Sequence, residues 1–157
     1  MPHVPTGAPA GFVEYVYRKT FTVPFPSGQV WAWLNNPATF TEGQVWPFRV
    51  EFVGGGFEPG VLNVHHGPFM LFAGVIGEVR EGEYRDLRYF YGSYALSPRF
   101  ARPTRLQFWT RSVPEGTEVS LRVDSLVRRR FRGLWDAGQD LFWCRFPRWM
   151  ASALGEG

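Results

Sequence analysis

Cysteine is nearly missing from this chain: Cys144 is the single one. That excludes an internal disulfide and a cysteine-built zinc site, and it is compatible with a reducing compartment. Lysine is equally scarce, since Lys19 is the only one among 17 basic residues. The net charge of +3 is spread along the chain, whereas nucleic-acid binding calls for a concentrated basic patch. Long apolar runs are also lacking. Pro59 to Gly77, a long stretch without Asp, Glu, Lys or Arg, contains Asn63, His65, His66 and Pro68, so no integral membrane span is expected there. The opening MPHVPTGAPAGF has no basic start followed by an apolar run and does not read as a secretory signal. A cytoplasmic location is the expectation. Glycines 54 to 56 are not followed by Gly-Lys-Ser/Thr, which excludes a phosphate loop there. No repeat, low-complexity tract or dividing linker is visible. The expected organisation is a flexible tail over 1–11 and one domain over 12–154.

Aromatic residues are abundant: 15 Phe, 7 Trp and 6 Tyr make up 18% of the chain. So many large rings imply a bulky core or a cavity with aromatic walls. Strand patterns dominate. Phe12 to Val23 is rich in aromatic and β-branched residues, with Val13, Tyr15, Tyr17 and Phe21 on one face. Pro24 and Pro26 stop it. Ser27 is positioned to cap a short helix over Gln29 to Leu34, which buries Val30, Trp31 and Leu34. A second short helix is expected over Ala38 to Thr41. Further strands are expected over Phe48–Val53, Val61–His66, Met70–Arg80, Tyr84–Tyr94, Thr104–Val113 and Thr117–Val127, joined by short turns as an antiparallel meander. Phe131 to Leu154 is the one long helical pattern. Phe131, Leu134, Trp135, Gly138, Leu141, Phe142, Phe146 and Trp149 form its apolar face. Pro147 inside it removes the bond to the Trp143 carbonyl and is expected to kink or weaken the helix there. Such a break either shapes a cavity mouth or bends the helix around the sheet.

The order strand, two short helices, six strands, long C-terminal helix resembles the START-like superfamily, also called SRPBCC or Bet v 1-like. The likeness is carried by FTVPFPSGQVWAWLNNPATF at 21–40, EFVGGGFEPG at 51–60, GEVREGEYRDLRYFYG at 77–92 and VPEGTEVSLRV at 113–123. The resemblance implies an α+β helix-grip fold, in which a seven-stranded antiparallel sheet wraps around the C-terminal helix with a hydrophobic cavity between them. It also implies a range of roles: binding of lipids, sterols or polyketides, cyclase or aromatase chemistry, or work beside chaperones or the ribosome. Fold does not choose among them.

Each chemically suggestive residue has a plain alternative. His65 and His66 are adjacent on a strand, so their rings point to opposite faces and cannot readily share a metal. One of them facing the cavity would be able to bond a ligand or act as a base. No metal site and no cofactor is expected. Cys144 lacks any visible base and reads as structural. Glu51, Glu78 and Asp124 lie on strands and read as solvated or ion-paired. Arg128, Arg129, Arg130 and Arg132 form the one dense basic run. It sits at the start of a helix, where positive charge is slightly unfavourable, and so invites an anionic partner; a solvated loop is the alternative.

The expected function is the carriage or sensing of a small hydrophobic molecule. The expected lining is Tyr89, Tyr91, Phe108, Leu121, Trp135, Phe142 and His66, from sheet alternation and the helix face. Two alternatives stay open: a polyketide cyclase or aromatase-like enzyme, for which no catalytic motif is visible, and a macromolecular interaction module with a filled core.

Overall fold

The computed structural model describes residues 7–42 and 49–155. The long strand β1 (Phe12–Val23) is followed by helices α1 (Ser27–Leu34) and α2 (Pro37–Glu42). Then come β2 (Arg49–Phe52), β3 (Leu62–His66), β4 (Met70–Arg80), β5 (Tyr84–Tyr89), β6 (Tyr94–Ala95), β7 (Ala101–Val113) and β8 (Gly116–Arg128). A short 3-10 turn, Arg129–Phe131, leads into α3 (Arg132–Trp143) and α4 (Phe146–Gly155).

All the strands join one antiparallel sheet of order β1-β8-β7-β5-β4-β3-β2, with the two-residue β6 bridging β4 and β7. The seven strands expected from the sequence are all present. Their alternation sets the faces: along β8, Val119, Leu121 and Val123 are buried while the residues between them are only partly covered, as period two requires. The concave face packs against α3 and α4. This is the helix-grip arrangement.

Several local expectations are revised. Ser27 does not cap α1; Pro26 holds the cap position, and the Ser27 hydroxyl pairs with that of Ser112 at 2.8 Å. The strand expected over Tyr84–Tyr94 ends at Tyr89, because the chain turns at Gly92, whose φ is +100°. Phe48, the expected start of β2, lies outside the described residues. The C-terminal helix is two helices, interrupted at Cys144 and Arg145 just before Pro147. Proline falls on the second residue of α4, in the first turn, where a missing N–H costs least. Leu134 and Leu141 belong to the exposed side, at 60% and 62%, and the buried stripe runs through Trp135, Trp143, Phe146 and Met150.

The turn from β7 to β8 requires glycine. Gly116 has φ +136°, and a Cβ there would meet the carbonyl oxygen of Val23 at 2.1 Å. Its missing side chain lets the hairpin lie against the end of β1. The polar side of α3 is anchored to β1: the Tyr15 hydroxyl donates to Asp136, and that of Tyr17 donates to Asp140 at 2.7 Å. Burial first, then the Asp140 bond, holds the Tyr17 phenol well above its ordinary pKa.

Candidate functional site

A cavity of about 400 Å³ lies between the concave face of the sheet and α3. That volume is within the range of small-molecule sites. The sheet supplies Leu87, Tyr89, Leu106 and Phe108; the helices supply Trp135, Gly138, Phe142, Trp143 and Phe146. Phe69, Leu96 and Leu134 also line it and are 76%, 55% and 60% exposed, so they mark an apolar rim. Phe69 and Leu96 both have left-handed φ, +56° and +62°, and the Leu96 N–H donates to the Phe69 carbonyl at 2.5 Å. This pairing fixes one lip of the opening.

Of the residues expected to line the cavity, Tyr89, Phe108, Trp135, Phe142 and His66 do so. Leu121 does not. It is packed in the core at 1% exposure, between Lys19 of β1 and Phe108 of β7. Tyr91 is 74% exposed beyond the end of β5, where alternation no longer applies, and its hydroxyl accepts a bond from Arg102 at 3.3 Å. His66 borders the cavity but its imidazole pairs with Glu51 at 3.2 Å. The inward histidine is His65, on the opposite face of the same strand.

His65 bonds the Asn63 side chain at 3.1 Å and meets the Tyr89 ring edge-on at 5.1 Å. The surface it keeps faces the cavity. Burial, then the charge of Arg85, then His66, push its pKa from 6.5 down to about 3. The folded protein therefore keeps this ring neutral while the unfolded chain protonates it below about pH 6.5. Because the folded pKa is the lower one, the contribution is fully present above pH 6.5 and is lost as pH falls toward about 3. Between about pH 7.5 and about pH 5, stability should drop by at most about 2 kcal/mol on this account. Urea unfolding at both pH values, on wild type and on His65→Phe, isolates the effect. An equal drop in the variant removes His65 as its source.

The residue that sequence reasoning missed is Arg85. It is 1% exposed and lines the cavity, and its side chain makes no hydrogen bond or ion pair among the described residues; its Nε and Nη1 are buried without partners. Its guanidinium instead lies over the rings of Phe57, Phe108 and Phe40, at 4.5, 5.0 and 5.3 Å, a cation–π cradle. Burial pulls its pKa from the ordinary arginine value down to about 9, so it still carries charge at neutral pH. The signal was present in the alternation: Arg85 stands two residues before inward-facing Leu87 and four before Tyr89. The neighbouring Asp86 points the other way, where Arg88 at 3.1 Å, Arg105 at 2.7 Å and the Glu78 N–H at 2.6 Å hold its carboxylate. Burial opposes that charge, and these donors outweigh it to keep the Asp86 pKa below its ordinary value.

The carboxylates named in the sequence all have partners: Glu51 meets the His66 imidazole at 3.2 Å, and Glu78 and Asp124 are ion-paired with Arg80 and Arg122. Cys144 is exposed, with its thiol donating to the Leu141 carbonyl. Arg128, Arg130 and Arg132 lie over Phe12, Phe131 and Tyr15. None of these three, nor Arg129, is ion-paired among the described residues. Among the described residues no cluster of three His, Cys, Asp or Glu is placed to hold a metal ion, and no helix is long and apolar enough to cross a membrane.

No family model and no curated protein sequence matches this chain. Solved structures do. Norcoclaurine synthase from Thalictrum flavum, in complex with dopamine and hydroxybenzaldehyde, is similar at TM-score 0.68 and 11% identity, over 99% of this chain and 97% of that one. Protein CV1439 from Chromobacterium violaceum is similar at TM-score 0.63 and 14% identity, over 88% and 96%. Ara h 8.0201 is similar at TM-score 0.62 and 10% identity, over 92% and 100%. At such identities the likeness is one of fold alone, and the shared fold is the helix-grip arrangement of an antiparallel sheet around C-terminal helices.

Proposed function

We propose that this protein binds a small hydrophobic molecule, as a carrier or sensor, in the cavity between the sheet and α3. The observation that carries the reading is the aromatic-walled space of about 400 Å³ bounded by Phe108, Trp135 and Phe142. Burying an apolar ligand there gains about 25 cal/mol per Å² of surface removed from water. The similar norcoclaurine synthase was solved with two small aromatic molecules bound, which supports a ligand of that order of size. The residues we assign to binding are Tyr89, Phe108, Trp135 and Phe142.

Native mass spectrometry followed by organic extraction tests this directly. A discrete added mass, released as an apolar compound, is the expected result. Gly138 offers a matched control. It lines the cavity, and a Cβ built on it meets nothing within 4 Å. Gly138→Phe should place a ring at the opening and remove the added mass while the fold survives. Retention of the same mass in that variant would place the ligand elsewhere.

A cyclase-like reading has weaker support. No carboxylate lines the cavity among the described residues. The acid–base groups on its wall are His65, whose basicity is depressed, Tyr89, whose phenol burial holds above its ordinary pKa, and His66, whose imidazole is engaged with Glu51. The cavity also favours small-molecule binding over a module with a filled core. As a second part of the proposal, the unpaired run Arg128, Arg129, Arg130 and Arg132 meets an anionic partner. Co-sedimentation with anionic vesicles, lost in a variant with all four changed to Gln, is expected; equal sedimentation of that variant would discard the idea.

A further inference from the structure

We infer that the ligand of this cavity carries one negatively charged head, a carboxylate, and that Arg85 is its anchor. The inference rests on the binding reading above and names the ligand's chemistry. The walls are rich in donors and poor in acceptors. Two arginines, Arg49 and Arg85, line the cavity. The buried Trp135 indole N–H lacks an acceptor on the opposite wall. The Tyr89 hydroxyl has no hydrogen-bond partner among the described residues, and no Asp or Glu is among the described lining. The one side-chain amide oxygen on the helix wall, Gln139 Oε1, already accepts from Trp143 Nε1 at 3.0 Å. An ionised carboxylate is an acceptor-only group, the complement of such a wall.

Arg85 is the group that most needs it. A buried guanidinium with no counter-charge is costly. The rings of Phe40, Phe57 and Phe108 compensate one side of it but provide no acceptor for its N–H groups. A carboxylate within the cavity would satisfy the planar fork in a charge-assisted bond, stronger than a neutral one. The same low-dielectric surroundings that penalise the lone cation strengthen its attraction to an anion. The apolar body of the ligand would then lie along Phe142 and Leu106 toward the rim at Phe69 and Leu134.

Two matched pairs test this on the full chain by calorimetry at about pH 8: dodecanoate against dodecanol, and 2-naphthoate against 2-naphthalenemethanol. In at least one pair the acid should bind about ten-fold or more tighter than its alcohol. The pair that shows it tells an aliphatic body from an aromatic one. In Arg85→Met the acid should lose this advantage to within about two-fold, while the alcohol binds as well as before. The wild-type ratio alone decides the matter should that variant not fold. Equal binding of acid and alcohol by wild type overturns the anionic head and leaves the cavity reading standing. An acid preference that persists in Arg85→Met overturns Arg85 as the anchor. If neither member of either pair binds, the inference and the cavity reading both fall.

Discussion

Phe146→Ala is expected to destabilise the protein by about 3–5 kcal/mol, the largest effect of any single truncation named here. Phe146 is 2% exposed. Its ring meets Trp143 at 5.1 Å, Trp149 at 5.5 Å, Trp33 and Phe108 at 5.8 Å, and Phe21 at 6.1 Å. Those partners come from β1, α1, β7, α3 and α4, so one side chain joins the C-terminal helices to the sheet and to α1. Truncation removes the transfer energy of the ring and leaves a void that these large neighbours are too constrained to fill. The void would open onto the cavity, which Phe146 also lines. Because a domain has only about 5–15 kcal/mol in hand, the urea midpoint should fall steeply. Phe146→Leu, which keeps most of the volume, should cost less than half as much. If alanine and leucine prove equally mild, the ring cluster does not hold the helices.

Arg85→Met should act in the opposite direction and stabilise the ligand-free protein, by about 1–4 kcal/mol. Methionine keeps the length and much of the volume of arginine, so the Phe40, Phe57 and Phe108 rings retain a packing partner. It also removes a buried charge without hydrogen bonds at Nε and Nη1. Loss of the cation–π contacts, of order 0.5–2 kcal/mol, is set against relief of a desolvation cost of several, and the second is larger. For a domain of this size about 1 kcal/mol corresponds to roughly 2–4 °C in the melting midpoint, so calorimetry resolves the gain. The lowered Arg85 pKa adds a pH signature. Its folded value of about 9 lies well below that of an ordinary arginine. Stability in wild type should therefore rise as pH climbs above about 9, where the folded protein sheds the proton first, and reach its limit only near the unfolded value. Arg85→Met lacks that rise. A destabilised variant would mean that the aromatic cradle outweighs the desolvation cost.

Much of this molecule was legible in its residues. The strand faces follow from period two: Tyr15 and Tyr17 inward on β1, Val119, Leu121 and Val123 inward on β8. The buried side of α1 follows from the spacing of Val30, Trp31 and Leu34. The interruption of the last helix follows from Pro147, because a ring in place of an N–H acts locally wherever it stands. These features depend on neighbours a few residues away, which the sequence lists in order.

The site did not yield in the same way. Whether His65 or His66 faces inward depends on strand parity, and a shift of one residue exchanges the two. Leu121 and Phe108 both face the interior, yet only Phe108 borders the space. Arg85 shares the inward face with Leu87 and Tyr89, but its isolation depends on the rings of Phe40, Phe57 and Phe108, drawn from α2, the turn after β2, and β7. Local pattern determined which side of each element is apolar. Only the packing of distant elements decided where the interior stays open and which charge is left facing it, since a cavity is a property of how surfaces fail to meet and no segment of the chain holds that by itself.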